Sequence, residues 1–302
     1  MDPLHVVTAI ANPIRWQSRA RLYRQFETHM LDSGVHLTVV ECAYGDRPHE
    51  FGDNPHVTHI PVRARSLLWN KENLLNIGLS RLPQDWHNVA WIDADITFRR
   101  ADWAAETVQA LQQYDVVQPW SDCYDLGPND EHLHVHRSFC RLAHEGAAIG
   151  SDYYTFAHPG YAWAATRRAL GLLGGLIETG VLGAGDHHMA LALLGRVIES
   201  VPTNISAGYI QPLLRWQERA RHHIGGNIGY VAGSIEHDWH GGKAKRAYVD
   251  RWVTLIRNGF DPDADLVRNT WGVLELAGNK PQLRLDIDRY FRARDEDSNS
   301  LG

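Results

Sequence analysis

Residues 90–98 read Ala90-Trp91-Ile92-Asp93-Ala94-Asp95-Ile96-Thr97-Phe98, an apolar run that breaks into two carboxylates around an alanine and then turns apolar again. The stretch 88–92 (NVAWI) is short and continuously apolar after its first residue, which predicts a buried strand. Asp93 and Asp95 then stand at its carboxyl end. A hard divalent cation takes oxygen ligands and pairs with diphosphate oxygens, so this strand end predicts a Mn2+ or Mg2+ site open to a nucleotide. The plainer alternative is a strand end whose carboxylates satisfy turn amides. The buried-strand context favours the metal.

Outward from this point, strands and helices alternate. Residues 4–10 (LHVVTAI) predict a buried strand ended by Asn12-Pro13. Trp16, Ala20, Tyr23, Phe26 and Met30 recur at helical spacing. Strands at 36–42 and 57–62, a helix from about 69 to 79 and the strand at 88–92 follow. Beyond Asp95 the pattern predicts a helix near 102–113, a strand at 114–118, and irregular chain over 119–160. A strand at 161–165, helices at 167–173, 186–194 and about 243–257, and a polar, frayed tail over 292–302 complete it. This is an α/β pattern with a mostly parallel sheet flanked by helices. Such sheets bind ligands at the carboxyl ends of their strands, where Asn12, Glu41 and Asp93–Asp95 all fall.

The composition is that of a folded globular protein, 44% hydrophobic and 22% charged over 302 residues. No apolar run reaches the roughly 20 residues that span a bilayer, and the first residues lack the pattern of a secretory signal. Three widely spaced cysteines, Cys42, Cys123 and Cys140, argue against a disulfide framework and for a reducing, cytoplasmic setting. The formal charge of −6 gives no whole-molecule attraction to phosphate polymers, although Arg15–Arg24 and Lys243–Arg257 are locally basic.

The run Trp69-Asn70-Lys71-Glu72-Asn73-Leu74-Leu75-Asn76-Ile77-Gly78, followed by the strand carrying Asp93-Ala94-Asp95, resembles the GT-A glycosyltransferases. The likeness spans roughly residues 4–255. It implies a GT-A (Rossmann-like) domain over residues 1–258, with a nucleotide-sugar half at about 1–118 and an acceptor half at about 119–258. Residues 259–302 form a helical or irregular C-terminal extension. The resemblance also implies transfer of a sugar from a nucleoside-diphosphate sugar to a hydroxyl, with Asp95 as metal ligand and Asp93 on ribose or metal-bound water. It further implies that Lys71 approaches the diphosphate or the sugar and Glu41 the nucleoside, with Asn12, Arg15 and Asn73 lining the donor pocket. For Lys71 and Asn73 a solvated helix face is the bland reading, and for Glu41 a loop ion pair.

Two further stretches fit the resemblance. Gly183-Ala184-Gly185-Asp186-His187-His188 is a glycine-rich turn opening an apolar helix, where Asp186 serves as general base for an acceptor hydroxyl or as a helix cap, with His187 or His188 sharing the role. An Asp186 base implies inversion at the anomeric carbon. His237-Asp238-Trp239-His240-Gly241-Gly242, followed by Arg246, Tyr248 and Arg251, resembles the C-terminal His motif of several GT-A families. It implies His240, then His237, as metal ligands; Trp239, like Trp69 and Trp120, is a candidate to stack on a base or sugar.

His132, His134 and His136 alternate, so a strand would put all three on one face, where they could bind Zn2+ or border the acceptor cleft. The acceptor is open among a glycan, a small molecule, a protein and a hydroxymethylated base in DNA. A nucleotidyltransferase is the enzyme rival, although Ala11-Asn12-Pro13-Ile14-Arg15-Trp16 offers no glycine-rich phosphate loop. A non-catalytic nucleotide-sugar-binding protein is the rival of another class.

Overall fold

A computed structural model describes residues 3–149, 157–242 and 250–299. The strands β1 (His5–Ala11), β2 (His36–Tyr44), β3 (Thr58–Ala64), β4 (Asn88–Ile92), β6 (Val116–Gln118), β9 (Ala162–Thr166) and β10 (Ile228–Tyr230) form a seven-stranded sheet in the order β10-β6-β9-β4-β1-β2-β3. All neighbours pair in parallel except β9, which runs antiparallel to β4 and β6. The chain thus has the mostly parallel α/β sheet, flanked by helices, that its sequence predicts.

Period-two alternation divides the core into two layers. On one face Val6 and Ile10 of β1 and Ala90 and Ile92 of β4 meet α1 (Gln17–Asp32) through Tyr23, Phe26 and Met30, and α3 (Trp103–Ala110) through Trp103. On the other, Val7, Val89 and Trp91 meet α2 (Lys71–Leu79), α5 (Arg167–Leu173), α6 (Gly185–Leu193) and α7 (Ala207–His223). Gly78 lets α2 lie close on the sheet, since a Cβ there would come within 2.5 Å of Val7 Cγ1.

A second sheet has the order β5-β11-β7-β8: β5 (Ile96–Phe98), β11 (Ser234–His237), β7 (Asp122–Leu126) and β8 (His132–Arg137). The last two fall in the stretch 119–160 expected to be irregular. β7 is partly buried and β8 is half-buried to exposed along its length, so neither carries the apolar run that marks a core strand. The short helix α4 (Phe139–His144) follows, with Ser138 accepting from Arg141 N as its cap.

The C-terminal region comprises α8 (Asp250–Arg257), α9 (Pro262–Asp265), the hairpin β12 (Leu266–Arg268) and β13 (Leu274–Leu276), and α10 (Pro281–Ala293). Leu283, Ile287 and Phe291 of α10 join the same core as α2. The expected frayed tail is overturned over its first residues. Glu296 is buried, and Asp297 accepts from Gln17 N (2.9 Å) and Ser18 N (2.8 Å). α1 has no cap of its own, so the tail supplies acceptors to its orphaned first amides. No helix among the described residues is long and apolar enough to cross a membrane.

Candidate active site

One cavity of about 550 Å³ opens at the carboxyl ends of β1 and β4 and is walled by both sheets, α2, α6 and α10. Its base is a meeting of short-range neighbours from distant parts of the chain. Asp95 follows β4 and precedes β5; in the second sheet His237 pairs with Ile96 on one side and with Asp125 on the other. His240 lies three residues on, held near by the Asp238 N–H donating to Asp95 O at 2.9 Å.

Three ligand atoms converge there. His240 Nε2 stands 3.1 Å from Asp95 Oδ2, His237 Nε2 3.8 Å from the same oxygen, and the two Nε2 atoms are 3.2 Å apart. Ligands about 2 Å from one ion in an octahedral shell sit roughly 3 Å from each other, so the spacing suits a Mn2+- or Mg2+-sized cation. Asp95, His237 and His240 form the one such group among the described residues. The outer nitrogen of His237 bonds the buried Asp125 at 2.6 Å. Burial lowers the His237 pKa even against Asp125 and Asp95, which favours the neutral imidazole a metal requires.

Beside this group lies a cation between carboxylates. Lys71 Nζ is 2.7 Å from Asp93 Oδ1 and 2.8 Å from Asp186 Oδ2. Burial alone would lower the Lys71 pKa, but Asp186, then Asp93, hold it well above the usual lysine value. Asp93 is pushed up to about 6, chiefly by burial with Asp186 and Asp95 adding and Lys71 opposing. Glu72 is buried beside them and reaches about 8, for burial outweighs Lys71. The turn before α6 makes this packing possible: Gly183 and Ala184 have positive φ (98° and 84°), and a Cβ on Gly185 would fall 2.2 Å from the Glu72 carboxyl carbon. Asp186 is therefore inside the first turn of α6, whose cap position is Ala184.

The far wall is aromatic. Tyr161 holds a positive φ of 76°, costly for a bulky residue, while its carbonyl accepts from Asp93 N at 2.8 Å and its ring stacks on His158 at 4.0 Å. His134 and His136 line the same side. His132 does not: the β7–β8 register shifts between Asp125 and Leu126, and His132 stacks on Tyr124 at 4.6 Å. The bulge thus breaks the alternation that predicted three histidines on one face, and among the described residues they form no metal cluster.

Several expected donor contacts lie off the cavity wall. Asn12 is turned on Trp16, bonding its carbonyl and its N–H at 2.9 Å each, and Arg15 projects outward from that turn with φ 67°. Glu41 is buried, accepting from Glu50 N (2.6 Å) and Phe51 N (3.2 Å) and pairing with His59 (2.8 Å). Asn73 ties α2 to the C-terminal hairpin, accepting from Leu274 N (3.0 Å) and donating to Gly272 O (3.2 Å). Trp239 Nε1 donates to Ser298 O at 2.8 Å. Trp69 does line the cavity, whereas Trp120 is core, donating to Ala162 O at 3.2 Å.

Of the second motif, His187 lines the cavity and His188 does not: it is buried between Ser200 Oγ (2.6 Å) and Tyr209 OH (2.9 Å). Arg251 lines the cavity and donates to Leu182 O at 3.1 Å; Arg246 and Tyr248 lie outside the described residues. Sequence reasoning missed Arg19, Tyr44, Phe291 and Arg294 on the wall: Arg19 and Tyr44 stand a few residues beyond the candidates Arg15 and Glu41, and Phe291 and Arg294 lie far along the chain from every motif.

No protein-family model and no curated protein matches the chain. Among solved structures, a Drosophila β1,4-galactosyltransferase 7 mutant in complex with manganese, UDP-Gal and xylobiose aligns over 93% of this chain and 99% of its own, at 10% identity and a TM-score of 0.47. Residues 1–349 of Staphylococcus aureus TarS align over 85% and 71%, at 10% identity and a TM-score of 0.39. A 4-diphosphocytidyl-2C-methyl-D-erythritol synthase from Anaerococcus prevotii aligns over 76% and 89%, at 12% identity and a TM-score of 0.34.

Proposed function

We propose that this chain is a divalent-metal-dependent glycosyltransferase that moves a sugar from a nucleoside-diphosphate sugar to an acceptor hydroxyl. The observation that carries this reading is the convergence of Asp95, His237 and His240 beside the Lys71–Asp93–Asp186 cluster in one cavity at the strand ends. A bound Mn2+ or Mg2+ ion supplies positive charge to the departing diphosphate.

Asp95, His237 and His240 hold that ion, and Asp93 orients Lys71. The Lys71 ammonium adds a fixed donor for phosphate oxygens. Asp186 takes the proton of the attacking hydroxyl, a role open to it once phosphate shares the lysine. A base acting directly on the acceptor gives inversion. His187 suits that role poorly, because burial first, with His188 and Arg251 adding, lowers its pKa to about 2. The cavity volume falls in the range of roughly 300–1,000 Å³ usual for small-ligand sites.

A thermal-shift panel of nucleoside diphosphates and nucleotide sugars, with and without Mn2+, tests the reading on wild type and Asp95→Ala. A metal-dependent rise in midpoint with one nucleotide, absent in Asp95→Ala, is expected. Folded wild type that responds to none of them would overturn the proposal.

A further inference from the structure

Two buried carboxylates stand behind the two histidines, and neither belongs to a motif. Asp125 Oδ1 lies 2.6 Å from His237 Nδ1, on the strand next to β11. Its other oxygen faces His136 Nε2 at 3.9 Å. Glu296 Oε2 lies 3.7 Å from His240 Nδ1 and comes from the C-terminal strap that follows α10. In both rings the Nδ1 edge is turned to a carboxylate and the Nε2 edge to Asp95; Asp125 is within hydrogen-bond distance of its ring, whereas Glu296 at 3.7 Å acts on His240 through its charge.

The strap is fixed where it passes His240. Glu296 also pairs with Arg19 (2.6 Å) and Arg294 (2.6 Å). Ser298 O accepts from Trp239 Nε1, and Asp297 caps α1. Gly241, with φ 87°, allows the approach, for a Cβ there would lie 2.3 Å from Asp295 O. The strap is thus packed on the loop that carries His240 rather than merely near it.

Resting on the metal site proposed above, we infer that Asp125 and the strap residue Glu296 are positioning residues of that site, each setting one imidazole so that its Nε2 lone pair faces the ion. The chemistry follows from the imidazole itself. A neutral ring carries one proton; a carboxylate at Nδ1 draws the proton there and leaves Nε2 free to bind a cation. With both protons outward, two nitrogen lone pairs and a carboxylate oxygen face one another across 3.1–3.8 Å, an arrangement that a cation resolves. Removing such outer partners typically weakens metal affinity about 10- to 100-fold. The C-terminal segment is then part of the active site, not an appendage to it.

Calorimetric Mn2+ titration of wild type, Asp125→Asn and Glu296→Gln tests this without recourse to turnover. Each variant is expected to bind about 10-fold or more weakly, because an amide can donate to Nδ1 and turn the ring's proton onto Nε2. Wild-type affinity in both variants would overturn the inference while leaving the metal site standing; wild type that binds no Mn2+ removes the site itself, and the inference with it. Nitrogen-15 spectra of the histidine side chains, recorded on wild type with Zn2+ as a diamagnetic probe, need no variant to fold. Protons on Nδ1 of both His237 and His240 are expected. A proton on Nε2 of either ring would overturn the assignment for that ring.

Discussion

Lys71 Nζ sits 2.8 Å from Asp186 Oδ2, joining the first turn of α2 to the first turn of α6 across 115 positions of sequence. With Asp93 on its other side, this one ammonium offsets two carboxylates in a mostly buried site. Lys71→Met should therefore weaken the fold as well as donor binding. Taking one partner from a buried ion pair costs about 3–5 kcal/mol. The loss should be largest at pH 8 and smaller near pH 5, where protonation relieves the crowded carboxylates. Urea midpoints at the two pH values check this, and an equal loss at both would contradict it.

Glu72 should tilt the stability curve in the opposite sense from an ordinary carboxylate. Its folded pKa is raised to about 8, chiefly by burial, whereas an unfolded glutamate titrates near about 4.3. Between those values the folded state keeps a proton that the unfolded chain has released. Stability from this group is thus present at low pH and lost as pH rises from about 5 to 8. Glu72→Gln should flatten that decline and raise the urea midpoint at pH 8 relative to wild type. An unchanged slope would show that Glu72 is ionised in the fold.

The sheet was legible because β1, β2 and β4 are dominated by apolar residues buried on both faces, and such a run needs no periodicity to be read. The Asp-Ala-Asp turn was legible for the same reason, by its place after such a run. The second sheet was not: β7 and β8 alternate polar and apolar residues, and the bulge near Leu126 breaks even that rhythm. Asp125 and Glu296 carry no local signal, since a carboxylate acquires its role only when the fold delivers a histidine to it. Asn12, Glu41 and Asn73 show the converse. Asn12 follows β1, Glu41 falls near the predicted end of a strand that in the structure runs on to Tyr44, and Asn73 lies in a motif; each position suggests a ligand, yet each side chain is occupied by backbone groups of its own chain.

Glu41→Ala should then separate structure from binding. Its carboxylate accepts two backbone N–H groups and faces His59. Leaving buried donors unsatisfied costs about 1–3 kcal/mol, so the variant should lose stability of that order. Its nucleotide Kd, measured where the protein is folded, should stay within a few-fold of wild type. A large rise in Kd at unchanged stability would return Glu41 to the donor pocket.

His188 should make the protein acid-sensitive in a range where most carboxylates are still charged. Burial, with Arg251 adding, lowers its pKa to about 3 in the fold, against about 6.5 in the unfolded chain. Over that interval the unfolded state gains a proton that the folded state refuses, so stability falls as pH drops below about 6.5 and the fall ends near pH 3. Each pH unit crossed is worth about 1.4 kcal/mol at most. His188→Gln loses the paired contacts to Ser200 and Tyr209 and should be less stable than wild type at pH 8. The gap should narrow as the pH falls to 5, because glutamine has no proton to gain. Melting temperatures of both proteins across pH 4.5–8 decide the matter: curves that stay parallel would mean that His188 titrates alike in the folded and unfolded chain.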